Sequence, residues 1–133
     1  MPKEQLISVV EDDLFFRESM IRLMTSLGYA AEGFPSAFAF RSSPRFDETA
    51  CLIADIHMPA MSGIELYTHL IERGVAISTI LITGCPDDVE RARALKCGVV
   101  CYLRKPLDEK QLMGCLRAAL RTGDAPEQNP HQC

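Results

Sequence analysis

Long apolar runs and an excess of basic residues are both missing from this sequence. No segment approaches membrane-spanning length, and the N-terminal MPKEQ carries no apolar core of a signal peptide. We therefore expect a cytoplasmic protein that does not enter a membrane. The 14 basic residues are outnumbered by 18 acidic ones, whereas direct nucleic-acid binding requires a basic face. Any output on DNA is expected to come from another domain or chain.

Paired cysteine motifs are missing as well. The six cysteines are scattered, no CxxC motif occurs, and no histidine lies at the spacing of a familiar zinc site. They are Cys51, Cys85, Cys97, Cys101, Cys115 and Cys133. The pattern predicts reduced thiols, several of them buried as small apolar side chains, in a reducing compartment. Cys133, at the end of a polar tail, is expected to be exposed.

What the chain does contain is a regular alternation of short apolar runs with segments of helical periodicity. The predicted strands are Leu6 to Val10, Ala30 to Phe34, Ala50 to Ala54, Ser78 to Ile82 and Val99 to Leu103. The predicted helices are Leu14 to Leu27, Ser36 to Ser42, Gly63 to Arg73, Asp87 to Lys96 and Asp108 to about Arg121. We interpret 1–121 as one domain and 122–133 as a polar tail or the start of a linker.

Five strands alternating with five helices indicate an α/β fold, in which a parallel sheet is covered by helices on both faces. The crossovers between its strands are expected to be right-handed. Ligands of open sheets of this kind bind beyond the carboxyl ends of the strands. Functional residues are therefore expected directly after each strand.

Acidic, hydroxyl and basic side chains follow the predicted strands. They belong to Glu11, Asp12, Asp13, Asp55, Thr83 and Lys105. Clustered carboxylates repel each other unless a cation or a proton relieves them, and Mg²⁺ prefers oxygen ligands. A carboxylate beside the metal can attack a phosphoryl donor, whose oxygens need positive charge and hydrogen-bond donors close by. The pattern predicts Mg²⁺-dependent phosphoryl chemistry at this edge of the sheet.

Four motifs at these strand ends resemble the response-regulator receiver family of two-component signalling. They are VEDD at 10–13, DIHMPAMSG at 55–63, ITG at 82–84 and YLRKP at 102–106, in the family's order and spacing. The resemblance covers roughly residues 5–121 and implies a flavodoxin-like (βα)5 doubly wound sheet with strand order 2-1-3-4-5. The ITG and KP segments are similar to receivers that often precede LuxR-type helix-turn-helix domains.

The resemblance implies a role for each matching acidic residue. Asp55 would be the phosphorylated nucleophile and a Mg²⁺ ligand, and Asp12 would be a second direct ligand. Glu11 would act on the metal mainly through water. His57 would offer the metal its backbone carbonyl, with its side chain uninvolved.

Residues of the fourth and fifth strands complete the implied site. Thr83 would hydrogen-bond the phosphoryl group in the active state, and Lys105 would form an ion pair with it. Tyr102 matches the aromatic switch residue, whose ring turns inward on activation, and a cis peptide is expected before Pro106. The surface of the fourth helix, fifth strand and fifth helix would then change and control an output domain, a partner or a homodimer.

Some positions depart from the family pattern or stay open. Glu11 stands where many relatives have aspartate, and it keeps the acidic group. Asp13 serves either as a helix N-cap or as a supporting residue of the metal site. His57 and Cys85 stand where side chains flank the attacking water in relatives, so the phosphoryl lifetime is not predicted. His69 is expected on the surface.

Three functions compete on this reading. The leading one is a phosphoacceptor switch, phosphorylated by a sensor histidine kinase, that catalyses only its own phosphorylation and dephosphorylation. A haloacid-dehalogenase-type phosphatase also uses an aspartyl nucleophile with Mg²⁺, but it carries a second acid where this chain has His57. A degenerate receiver would bind partners without phosphorylation. The kinase, the output, the oligomeric state and the extent of the whole regulator stay open.

Overall fold

A computed structural model describes residues 5–121 as alternating strands and helices. The strands are β1 (Leu6–Val10), β2 (Ala30–Phe34), β3 (Thr49–Asp55), β4 (Ser78–Thr83) and β5 (Cys101–Arg104). The helices are α1 (Leu14–Ser26), α2 (Ala37–Arg41), α3 (Gly63–Glu72), α4 (Asp88–Cys97) and α5 (Glu109–Arg121), with a short 3-10 turn at Phe46–Glu48. The predicted tail at 122–133 and Cys133 lie outside the described residues.

The five strands form one parallel sheet with the order β2-β1-β3-β4-β5. This confirms the predicted fold and strand order. The order reverses direction between β1 and β3, whose registers pair Val10 with Ala54. Because both strands end at the same edge, the residues that follow them are brought side by side.

Apolar clusters cover the two faces of the sheet separately, since successive side chains of a strand point to opposite faces. On one face α2, α3 and α4 pack over β-strand residues such as Val10 and Leu81. On the other face α1 and α5 pack over residues such as Val9 and Ile82. None of the helices within 5–121 is long and apolar enough to cross a bilayer.

The predicted fifth strand begins two residues too early. Gly98 ends α4 in the left-handed conformation, with φ of 112°, which glycine adopts without the steric cost of a Cβ atom. The Val99 N–H still bonds back to the Ala94 carbonyl of α4, at 3.1 Å. Val99 therefore belongs to the helix end, and the strand starts at Cys101.

The cysteine prediction is wrong for one pair. Cys101 and Cys115 are joined by a disulfide that connects β5 to α5. Sequence spacing does not indicate this pairing, because it arises only when α5 packs back on the sheet. Cys51 is a buried thiol and Cys85 an exposed one, while Cys97 is half-buried.

The start of α3 lies directly on the end of β3. A Cβ atom added at Gly63 would come 2.6 Å from the Asp55 carbonyl oxygen. Such a contact with backbone cannot be relieved by a side-chain rotation. The start of α3 thus fixes the main chain at Asp55, the last residue of β3.

We expect Gly63→Ala to lower the free energy of unfolding by about 2 kcal/mol or more, because the helix must move away from Asp55. Gly114→Ala is the matched control. Gly114 lies inside α5 with nothing within 4 Å of an added Cβ, so the change should stabilise by about 0.5–1 kcal/mol. Urea unfolding of both variants checks this, and equal effects would contradict the packing argument.

Candidate functional site

Three carboxylates meet at the carboxyl edge of the sheet. One oxygen each from Glu11, Asp12 and Asp55 lies within 4.8 Å of the other two. Glu11 and Asp12 follow β1, and Asp55 ends β3. The proximity of these acids was predicted from the strand ends, and the strand order explains it, because β1 and β3 are hydrogen-bonded neighbours.

Lys105 links two of these acids. Its Nζ donates to Glu11 Oε1 at 2.8 Å and to Asp55 Oδ2 at 3.1 Å. The Glu11 side chain is fully buried and that of Asp55 is 7% exposed. An ion pair shielded from water in this way is much stronger than one on the surface, although its burial also costs desolvation.

Main-chain N–H groups hold the second oxygen of each buried acid. The His57 N–H donates to Asp55 Oδ1 and the Asp13 N–H donates to Glu11 Oε2, each at 3.1 Å. The Asp12 side chain is exposed, and within the described residues it accepts no hydrogen bond. It is therefore the acid whose oxygens are most available to a cation.

Burial raises the pKa of Glu11 to about 7, and the nearby Asp55 adds to this shift. The bonds from Lys105 and the Asp13 N–H act in the opposite direction. Burial lowers the pKa of Lys105, but its bonds with Glu11 and Asp55 outweigh burial, so the net pKa is raised. The lysine thus stays protonated beside the two acids.

The donor set fits a hard divalent cation. When all three carboxylates are ionised, the ammonium of Lys105 leaves two net negative charges at this edge. All ligand atoms on offer are oxygens, which suit ions such as Mg²⁺ better than softer metals. Asp12 and Asp55, together with main-chain carbonyl groups, would hold such an ion.

Two residues of α1 that the sequence analysis did not connect with the site also support it. Lys105 Nζ lies 4.3 Å from the centre of the Phe16 ring, a cation–π arrangement. Arg17 donates to the Glu11 carbonyl at 2.7 Å. From the sequence, Phe16 is predicted only to lie in the first helix. Its second role depends on the path of the β5–α5 loop, which helical spacing does not predict.

The Asp13 side chain lies at the start of α1. Its Oδ1 accepts from the N–H groups of Phe15 and Phe16, at 2.9 and 3.2 Å. Asp13 is therefore the N-cap of α1, as one alternative held. Its own N–H supports Glu11, so the main chain contributes to the site while the side chain caps the helix.

Thr83 and His57 lie beside the acids. Thr83 is buried at the end of β4, and its Oγ1 accepts from the Cys85 N–H at 3.0 Å. Its carbonyl accepts from the Lys105 N–H at 2.8 Å. His57 is exposed, and its main-chain N–H bonds to Asp55. The peptide between Lys105 and Pro106 is cis, as expected.

Tyr102 lies apart from the acids, on the face of the sheet that α4 covers. Its hydroxyl donates to Glu90 Oε1 at 2.7 Å and accepts from the Asp87 N–H at 3.1 Å. Burial raises the pKa of the phenol, and the bond to Glu90 raises it further. The ring is thereby attached to the first turn of α4.

Glu90 does not pair with the neighbouring Arg91 and Arg93 of α4 but accepts a hydrogen bond from Tyr102. Both arginines are exposed and form no salt bridge within 5–121. His69 was expected on the surface but is half-buried, and its Nε2 is shielded without a partner among these residues.

A family model described as the response regulator receiver domain matches residues 7–117. The chain belongs to this family. Among curated proteins, the receiver is 36% identical over 126 residues to the response regulator protein TodT of Pseudomonas putida, covering 95% of this chain and 55% of TodT. It is 34% identical over 120 residues to the transcriptional regulatory protein FixJ of Azorhizobium caulinodans, covering 90% and 57%. The chain therefore spans little more than half the length of these relatives.

Solved structures agree with the receiver fold. The response regulator StyR superposes with a TM-score of 0.82 at 34% identity, over 90% of this chain and 60% of StyR. The FixJ-N structure superposes with a TM-score of 0.81 at 28% identity, over 94% of this chain and all of that one. The receiver thus has the architecture of a two-component signalling domain.

The raised pKa of Glu11 predicts how the stability of the metal-free receiver depends on pH. An acid whose pKa rises from 4.5 to about 7 on folding binds extra protons in the folded state between these values. Stability from this group is thus fully present below pH 4.5 and is lost as the pH rises through 7.

We expect the receiver in a chelating buffer to lose roughly 2 kcal/mol more between pH 5 and pH 8 than its Glu11→Gln variant. Urea unfolding at the two pH values measures this difference. The Glu48→Gln variant, altered at an exposed acid, should match the wild type. Equal losses of unfolding free energy in the wild type and in Glu11→Gln would contradict the raised pKa of Glu11.

Proposed function

We propose that this chain is the phosphoacceptor switch of a two-component pathway. It receives a phosphoryl group on Asp55 from the phosphohistidine of a sensor kinase, in a Mg²⁺-dependent reaction in the cytoplasm. Residues 1–121 form the receiver domain. The proposal is supported above all by Lys105 Nζ, which lies within hydrogen-bond distance of both Glu11 and Asp55.

The buried carboxylate of Asp55 serves as the nucleophile. One of its oxygens forms a bond to phosphorus while the bond from phosphorus to the histidine nitrogen breaks, and the imidazole leaves with the electron pair. Lys105 already touches Asp55 Oδ2. It therefore neutralises charge on the phosphoryl oxygens without first having to be recruited.

Thr83 supplies a hydrogen-bond donor from the neighbouring strand. Its hydroxyl oxygen is oriented by the Cys85 N–H, which leaves the hydroxyl proton available to a phosphoryl oxygen. Asp12, Asp55 and the His57 carbonyl would hold Mg²⁺, which would supply further positive charge to the transferring group. Glu11 would support the ion through water, because both of its oxygens already accept hydrogen bonds.

The face formed by α4, β5 and α5 carries the signal. Movement of Thr83 toward the phosphoryl group opens space next to Tyr102, whose hydroxyl is bonded to Glu90. Phosphorylation shifts only a pre-existing balance, by the difference between its contacts in the two states. The altered face then controls an output domain, a protein partner or a homodimer, with regulation of transcription as the outcome.

The chain acts as a switch and not as an enzyme with external substrates. A phosphatase with an aspartyl nucleophile would need a second acid near Asp55 to protonate the leaving alcohol, and His57 stands at the relevant place. A receiver that binds partners without phosphorylation would have no need for Lys105 bonded to two buried acids. Neither alternative is favoured by a specific contact.

Phosphorylation is tested with acetyl phosphate and Mg²⁺, followed by intact-mass measurement. We expect the wild-type chain to gain one phosphoryl group and Asp55→Asn to gain none, because the amide oxygen is a far weaker nucleophile. Asp47→Asn, at the exposed 3-10 turn, is the matched control and should be phosphorylated like the wild type. Unmodified wild-type protein, with and without Mg²⁺, would refute the proposal.

Loss of the Tyr102–Glu90 bond should move the balance toward the activated state. A hydrogen bond to a charged group contributes about 1.5 kcal/mol, so Glu90→Ala should raise the active population roughly tenfold. NMR resonances of α4 and β5 would shift along the line from the free protein to its beryllofluoride complex. Glu72→Ala, at the end of α3, is the control. Shifts off that line, or none beyond the mutated turn, would contradict this role.

A further inference from the structure

The disulfide between Cys101 and Cys115 lies on the face proposed to carry the signal. Cys101 is the first residue of β5, and Cys115 lies midway along α5, 14 residues later, with 6.2 Å between the Cα atoms. No other disulfide joins two elements within residues 5–121. The cross-link therefore attaches one specific helix to one specific strand.

Neighbouring residues of β5 face opposite sides of the sheet. Cys101 and Leu103 pack with the α1 and α5 cluster, whereas Tyr102 packs with the cluster under α4. The disulfide therefore fastens α5 to the strand that presents Tyr102 to α4. The same strand leads within three residues to Lys105.

The two cysteines differ in how far they are exposed to solvent. Cys101 is half-buried, while Cys115 is 8% exposed. A thiol or disulfide arriving from solvent consequently meets Cys101 first, with Cys115 as the resolving partner beneath it. Cys51 is fully buried and burial raises the pKa of its thiol to about 12, so it does not compete in exchange, which requires a thiolate.

We propose that Cys101 and Cys115 form a reversible oxidation site, opened and closed by exchange with low-molecular-weight thiols and disulfides. On oxidation the Cys101 thiolate attacks one sulfur of a disulfide RSSR and releases RS⁻, leaving a mixed disulfide. The Cys115 thiolate then attacks the Cys101 sulfur and releases the second RS⁻. The two cysteines lose two protons and two electrons, and RSSR becomes two RSH.

The two redox states differ in how α5 is held. In the oxidised chain the disulfide prevents α5 from separating from β5. In the reduced chain α5 is held without this covalent link, by contacts that include the apolar ones of Leu112 and Leu116. The oxidation state of the two cysteines thereby determines how far α5, as part of the signalling face, can move relative to β5. This site is additional to the proposed function, and its chemistry does not depend on phosphorylation.

A redox titration of the full chain tests the site. The folded protein is equilibrated in mixtures of reduced and oxidised glutathione, quenched with an alkylating reagent and mapped by peptide mass. We expect one transition that joins Cys101 to Cys115 and reverses when the glutathione ratio is reversed. A pair that stays oxidised in excess reduced glutathione, or stays reduced in excess oxidised glutathione, overturns the proposal.

Hydrogen exchange of the oxidised and reduced chains tests whether the disulfide restrains α5. We expect amide exchange in α5 to rise about tenfold on reduction, with little change in α3. Cys101→Ser with Cys115→Ser should exchange like the reduced chain under both conditions, and Cys85→Ser should respond like the wild type. Unchanged exchange in α5 overturns the coupling. Phosphorylation by acetyl phosphate is scored separately, so its absence in both redox states refutes the proposed function and leaves the redox result intact.

Discussion

The contact of Lys105 with two buried acids is the interaction on which the rest of the site depends. A fully buried Glu11 beside Asp55 would be strongly repelled without a cation. The Lys105 ammonium removes part of that repulsion, and the Phe16 ring of α1 packs against this ammonium. The ends of β1 and β3 and the first turn of α1 all contribute contacts to this one nitrogen atom.

Much of this arrangement could be predicted from the sequence. Apolar runs gave the strands to within two residues, and the rule that ligands bind beyond strand ends directed attention to Asp55 and Lys105. Asp12 and Glu11 followed from the same rule. These inferences succeed because a parallel sheet places all its carboxyl ends at one edge, whatever the details of side-chain packing.

The sequence was silent or misleading where the outcome depends on how helices pack back on the sheet. Helical spacing cannot show that Glu90 reaches Tyr102 instead of a neighbouring arginine. It cannot show that Cys115 meets Cys101 across the gap between α5 and β5. His69 was misplaced for the same reason, since its exposure is set by what covers α3 and not by its position in the helix.

The position of β5 in the sheet has a consequence for how this fold can respond to a signal. β5 is a four-residue edge strand that is hydrogen-bonded to another strand, β4, on one side only. Besides its pairing with β4, β5 is held by two side-chain tethers, one on each face of the sheet. One tether is a phenol–carboxylate bond and the other is a covalent bridge. An edge strand held in this way moves more easily than the interior strands. We therefore expect conformational change to concentrate at β5, while the buried centre of the sheet stays fixed.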